Sequence, residues 1–264
     1  MEVGDYALAD RMFRTVWADR GRLSTAPRLA RWLELNGHTR DARKLLLAAR
    51  DDALARRDVA RETKAWFCLR VADFELRAGR PRAAASALRT GLGVEPGDPR
   101  LHAGMARVAA SRERWHDAIA WGERSLGLAF DVATLALVGD AYAAVGDSAR
   151  AEEYLNAVAV ALAVPTGMQH RAGNLHLLDH GRRVAALLRQ AEVELAERRD
   201  IYAYDQLAWA LHAAGRHDEA LTMMRRALAL GTRDPLLAAH AEAIAEAAGK
   251  PVALAQASLT RAER

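Results

Sequence analysis

An all-α fold, built as a regular array of helical hairpins, is what this sequence predicts, and three observations carry the prediction. Sixty of the 264 residues are alanine, the residue with the highest helix propensity. The chain is 51% hydrophobic but only 6% aromatic, a balance that suits closely packed helices; sandwiches, barrels and parallel sheets need runs of Val, Ile, Thr and aromatic residues. A glycine followed five residues later by an alanine recurs along the chain at nearly constant spacing. No uninterrupted apolar stretch of about 18 residues is present, so no transmembrane helix is expected.

The recurring turn signals are NGHTRDA at 36–42, AGRPRAA at 78–84, VGDSARA at 145–151, HGRRVAA at 180–186 and AGRHDEA at 214–220. With Ala118 and Leu254, the marked positions are 42, 84, 118, 151, 186, 220 and 254. After a first interval of 42 the spacing stays within one residue of 34, and the extra eight residues fit an extended connection around 57–64. A fixed period of this length signals stacked supersecondary units.

Each unit reads as two helices. In 201–234, Tyr204, Leu207, Ala208 and Leu211 follow the spacing of one helical face, Gly215 interrupts, and Ala220, Met224 and Ala227 mark a second stripe. Asp98, Asp131, Asp200 and Asp234 stand just before first helices, where a carboxylate accepts from orphan backbone N–H groups. Pro99 and Pro235 follow two of them, at the first helical position that proline favours. The units fall at 23–56, 65–98, 99–131, 132–165, 167–200, 201–234 and 235–264, together one continuous array. Residues 1–22 hold Gly4, Asp5, Tyr6, Ala9, Phe13 and Val16, the turn and second helix of a unit whose first helix is missing. Such a half-unit is expected either to cap the array or to be the remainder of a longer one.

In order and spacing these residues resemble the tetratricopeptide repeat (TPR) family. Tyr204, Leu207, Ala208, Leu211, Gly215, Ala220, Met224 and Ala227 match its pattern, as do Val138, Gly139, Tyr142, Gly146, Ala151 and Leu155. Met105, Ala106, Trp115 and Ala118 match too, with Glu113 in place of the turn glycine. Departures occur at Glu75 and Glu242, at Gln190, and at Gly173–Asn174, which is expected to weaken its helix. The resemblance implies a right-handed α-solenoid of about seven and a half repeats, and a non-enzymatic scaffold that binds a protein or peptide in its concave groove.

Carried onto this chain, the groove stripe of the family is Arg31 and Glu34, then Trp66, Asp73 and Arg77, then Arg100 and Arg107. Ala133, Ala136, Asp140, Ala143 and Ala144 follow, then Met168, Arg171, Leu175 and Asp179, and finally Tyr202, Asp205, Trp209 and His212. Arginines would pair with carboxylates, and Trp66, Tyr202 and Trp209 would act as aromatic anchors. The Asn/Lys carboxylate clamp of chaperone-binding members is absent, its positions holding Pro27, Leu69 and Ala103, then Arg31, Asp73 and Arg107.

Catalytic motifs are missing from the sequence: there is no nucleophile elbow, no HExxH and no phosphate-binding loop. No cofactor is expected. His176 and His180, with Asp179 between them, form a weak metal candidate, and the single cysteine, Cys68, is expected to be a buried structural thiol that forms no internal disulfide. Residues 1–130 carry 24 basic and 17 acidic side chains against 14 and 17 in 131–264. That asymmetry raises a nucleic-acid-binding solenoid as the alternative function, through Arg31, Arg77, Arg100 and Arg107. A regulatory portion of a larger enzyme or effector is the other alternative. The 35 Arg against 3 Lys suggest a bacterial, GC-rich source. The first ten residues lack signal-peptide character, which makes cytoplasm the expected location, and uncapped ends would allow oligomerisation.

Overall fold

The computed structural model describes residues 3–16, 23–163 and 171–251. Among the described residues the structure is helical throughout, with fourteen helices. They are α1 Tyr6–Val16, α2 Ala26–Leu35, α3 Thr39–Ala55, α4 Arg61–Arg77, α5 Pro81–Val94, α6 Pro99–Ala110 and α7 Trp115–Leu128. Then follow α8 Val132–Ala144, α9 Ser148–Ala161, α10 Arg171–Asp179, α11 Val184–Glu197, α12 Ile201–Ala213, α13 His217–Ala227 and α14 Pro235–Ala247. Two compact units divide the chain: unit 1 takes residues 1–45 and 177–264, and unit 2 takes residues 46–176.

The punctuation predicted from sequence is present. Asp98, Asp131, Asp200 and Asp234 each accept a backbone N–H within three residues, from Arg100, Thr134, Tyr202 and Leu236. Asp147 does the same for Arg150 at the start of α9. Gly37, Gly79, Gly146, Gly181, Gly215 and Gly249 all have positive φ, the left-handed turn that glycine adopts without strain. Glu113 takes that conformation without being glycine, at φ 57°. The expected extended connection is shorter than the sequence suggested: α3 runs on to Ala55 and α4 begins at Arg61, so four of the residues around 57–64 are helical.

In unit 2, α4 packs on α5, α6 on α7 and α8 on α9, and the first helices α4, α6 and α8 also touch one another in succession. Phe74, Leu88, Leu101 and Val138 are among the fully buried side chains. Small residues set the spacing: Ala109, Ala118 and Ala141 meet in one cluster, and a Cβ on Gly122 would stand 2.3 Å from Val138 Cγ2. Gly173 is also a close approach, since its missing Cβ leaves room for Val132 and Leu162. Glu75, expected at an apolar position, is 1% exposed and tolerated there because the Arg80 guanidinium binds its carboxylate. Glu242 and Gln190 are exposed.

Unit 1 joins the two ends of the chain. Tyr6 and Phe13 of α1 stack on Trp32 of α2, with ring centres 6.2 and 5.9 Å away. The Tyr6 hydroxyl accepts the Ile201 N–H at 2.7 Å, satisfying a donor at the start of α12 that no helix residue can reach. Arg199 N–H donates to Val3 carbonyl, and a Cβ on Gly4 would lie 2.4 Å from the Arg199 carbonyl. Further on, α11 packs on α12, α12 on α13 and α13 on α14, around Ile201, Leu221, Met224, Leu237 and Ile244. Leu254 and Met168 lie outside the described residues.

Candidate functional site

Successive first helices of unit 2 present one face each to a cleft of about 440 Å³. Its floor is apolar and small, from Leu69 on α4, Ala103 on α6, and Ala133 and Leu137 on α8. Arg70, Asp73, Arg100 and Arg107 form a polar wall. Phe130, in the link between α7 and α8, stands at the edge, 70% exposed. An exposed aromatic ring beside a concave, partly charged surface is a composition found at binding interfaces.

The wall is electrostatically lopsided. Buried Asp73 is bound by the Arg70 guanidinium on its own helix and, at 2.8 Å, by Arg107 from α6, so one carboxylate serves two guanidiniums. Arg100 forks onto Asp98 at 2.9 and 2.6 Å. Burial opposes ionisation of Asp98, but the hydrogen bonds from Arg100 outweigh it and hold this carboxyl below its ordinary range. The net positive charge therefore sits around Asp73, with the Arg70 and Arg107 side chains partly exposed.

The ten residues expected to line a groove divide between the units. Arg100 and Arg107 line the cleft; Trp66 does not, its ring packing edge-on against Phe67 at 5.1 Å beneath the Arg70 guanidinium, 5.7 Å away. Arg77 and Arg171 are half-buried and outside the cleft lining. Arg70, Phe130 and Leu137 were missed by the sequence reading. Phe130 carried a legible signal, an aromatic residue in a short link just before the capping Asp131.

The remaining four residues, with Arg31, lie in unit 1. Arg31 pairs with Glu34 at 2.6 Å and rests over the Tyr202 ring at 5.5 Å. Asp205 is 0% exposed, so it supports the surface from below and cannot be a direct contact; its carboxylate meets His240 Nδ1 at 2.7 Å. Trp209 is half-buried between two imidazoles, with ring centres 4.1 Å from His240 and 4.8 Å from His212, and its indole N–H donates to Asp179 at 2.6 Å. Trp209 is thus an inter-helix packing group of α12 and α14 as much as a surface one.

Asp179 is committed to that bond. His176 is buried, with Nδ1 3.3 Å from Asp140 Oδ1 in unit 2, whereas His180 is exposed and belongs to unit 1. Of the three residues His176, Asp179 and His180, Asp179 therefore has another role in the structure. Cys68 is buried, and burial pushes its thiol above the ordinary range, the behaviour of a packing residue and not of a nucleophile.

No protein-family model matches the chain, and no curated protein matches it. Solved structures do. A thermophilic TPR protein of Thermus thermophilus aligns with 68% of this chain and 98% of its own, at a TM-score of 0.51 and 22% identity. The fold is a TPR-like array of helical hairpins. The Cut9–Hcn1 hetero-tetramer of the APC/C gives a TM-score of 0.51 at 16% identity, over 94% of this chain and 51% of that one, so this TPR-like chain spans about half that neighbour's length. A human IFIT1 dimer with PPP-AAAA gives 0.52 at 15% identity over 92% and 66% of the respective chains.

Proposed function

We propose that this TPR-like protein is a non-catalytic binding scaffold whose unit 2 cleft takes an extended segment of a partner protein. The observation that carries the reading is the coincidence, on the alternate helices α4, α6 and α8 and the link before α8, of a small apolar floor, an exposed Phe130 and an arginine wall only partly neutralised by Asp73. TPR folds are generally platforms for protein recognition, but a fold alone does not specify function, and it is the cleft that supports this reading. A bacterial cytoplasmic setting is part of the same proposal; no described helix is long and apolar enough to cross a membrane.

An immobilised random-peptide array tests the reading. The intact chain should select a family of related peptides, and Phe130→Ser and Leu137→Arg, each on a solvent-accessible or cleft-lining position, should abolish that selection while leaving helical content unchanged. Selection that survives both substitutions would sink the cleft as the binding surface. Oligonucleotides in a salt series provide the contrast: a nucleic-acid binder would lose affinity steeply with salt through its arginines, whereas peptide selection through an apolar floor would persist.

A further inference from the structure

The turn between α12 and α13 brings together two histidines. His212 sits in the last turn of α12, His217 opens α13, and their Nδ1 atoms stand 3.2 Å apart. Both side chains are partly exposed, so solvent species can reach them. Their ring centres are 4.9 Å apart with the planes tilted by 56°. A collinear N–H···N bond would set the ring centres roughly 5.5 Å apart, so the two rings are bent out of line with each other. With both ring axes in one plane and bent to the same side, these separations make the lines from ring centre through Nδ1 cross about 2.2 Å from each nitrogen, beside a Zn–N bond of about 2.0–2.1 Å.

We propose that His212 and His217 form a two-imidazole chelate for a divalent first-row transition ion of the Zn²⁺, Ni²⁺ or Cu²⁺ class, with the remaining positions filled by water. The donor type selects this class, since imidazole suits these ions and oxygen-seeking Mg²⁺ and Ca²⁺ do not take it. The supporting shell is already built. His212 stacks on Trp209, Trp209 stacks on His240, and Trp209 and His240 are fixed in turn by Asp179 and Asp205. A ring held by such neighbours loses little freedom on ligation.

Nearby charge does not oppose a cation. Arg216, between the two histidines, is bound to Glu219 at 2.6 Å and lies 3.8 Å from Glu192. Lys250 is bound to Asp218. A metal held by His212 and His217 would clasp the end of α12 to the start of α13 across Gly215, in unit 1, independently of the unit 2 cleft.

Titration of the tag-free, full-length protein with Cu²⁺ or Zn²⁺ at pH 7.5 tests this. Cu²⁺ should quench a saturable part of the tryptophan emission at one equivalent, because Trp209 is stacked directly on a ligand ring. Zn²⁺ should bind calorimetrically and raise the melting temperature without quenching. His212→Asn and His217→Asn should each weaken both ions at least tenfold, while His38→Asn and His116→Asn, at exposed histidines elsewhere, should not. Melting curves without metal separate a folding defect from a lost ligand, and imidazole ¹⁵N shifts of the unaltered protein report the two Nδ1 atoms directly. Undiminished affinity in both His212 and His217 variants, or Nδ1 shifts that do not move at saturating Zn²⁺, would overturn the proposal.

Discussion

Glu113 holds a backbone conformation that the other turns of this chain assign to glycine. A left-handed residue with a Cβ costs roughly 1–2 kcal/mol, and the exposed Glu113 side chain returns little of it. Glu113→Gly should therefore stabilise the protein by about 0.5–1 kcal/mol, after the added freedom of the unfolded chain is set against the relieved strain, read as a raised urea midpoint at unchanged slope. Tyr6 supplies a second residue-scale test. Burial is the main cause that pushes its phenol up to about 12, while the Ile201 N–H bond works the other way. Because the folded pKa exceeds the unfolded value near 10, the contribution of Tyr6 is complete below pH 10 and fades as pH rises toward 12. Burial also raises Tyr142 and Tyr154, so alkaline difference absorbance should show a late tyrosine phase, and Tyr6→Phe should remove the part of it near pH 12.

At the scale of helices, Ala220 tests the register. It is 0% exposed in the first turn of α13, so Ala220→Leu should overpack the crossing with α12 and cost roughly 1–3 kcal/mol; an unshifted denaturation midpoint would contradict that placement. Much of the helix layer was legible in sequence because each helix's own stripe and caps are local signals: the four aspartate caps and the turn glycines all stand where the 34-residue period put them. Ala42, Ala84, Ala118 and Ala220 are fully buried, although Ala151 and Ala186 are only half so. Gly173 was half legible: a glycine lowers helix propensity, but sequence cannot show that Val132 and Leu162 need the space. The candidate sites were less legible. Arg70 and Phe130 lie off the stripe carried over from the family, and the His212–His217 approach depends on the path of the turn at Gly215 and not on any helical period.

For the whole molecule, periodicity describes every hairpin but does not say which distant hairpins meet. Nothing in the spacing of Gly4 and Tyr6 pointed to Arg199 and Ile201, nearly two hundred residues away. Unit 2 is continuous in sequence and built from neighbours in the chain, so a fragment of residues 39–180, which keeps α3 and α10 whole, should fold cooperatively by itself with the helical signal of its share of the chain. A fragment of residues 1–45 should not, since Val3 and Tyr6 then lose the backbone N–H donors of Arg199 and Ile201. In refolding, contacts between near neighbours close quickly and those across long loops slowly, and the late phase should be the one that Tyr6→Phe alters.

The same discontinuity sets a timetable on the ribosome. At about 5–20 residues per second, Tyr6 leaves the exit tunnel roughly 10–40 s before Ile201 does. Throughout that interval the apolar faces of α1 and α2 have no C-terminal half to close upon, while unit 2 emerges complete in between. The first helices of this chain are therefore its longest-waiting nascent segment, and they are where a ribosome-associated holdase would crosslink during synthesis.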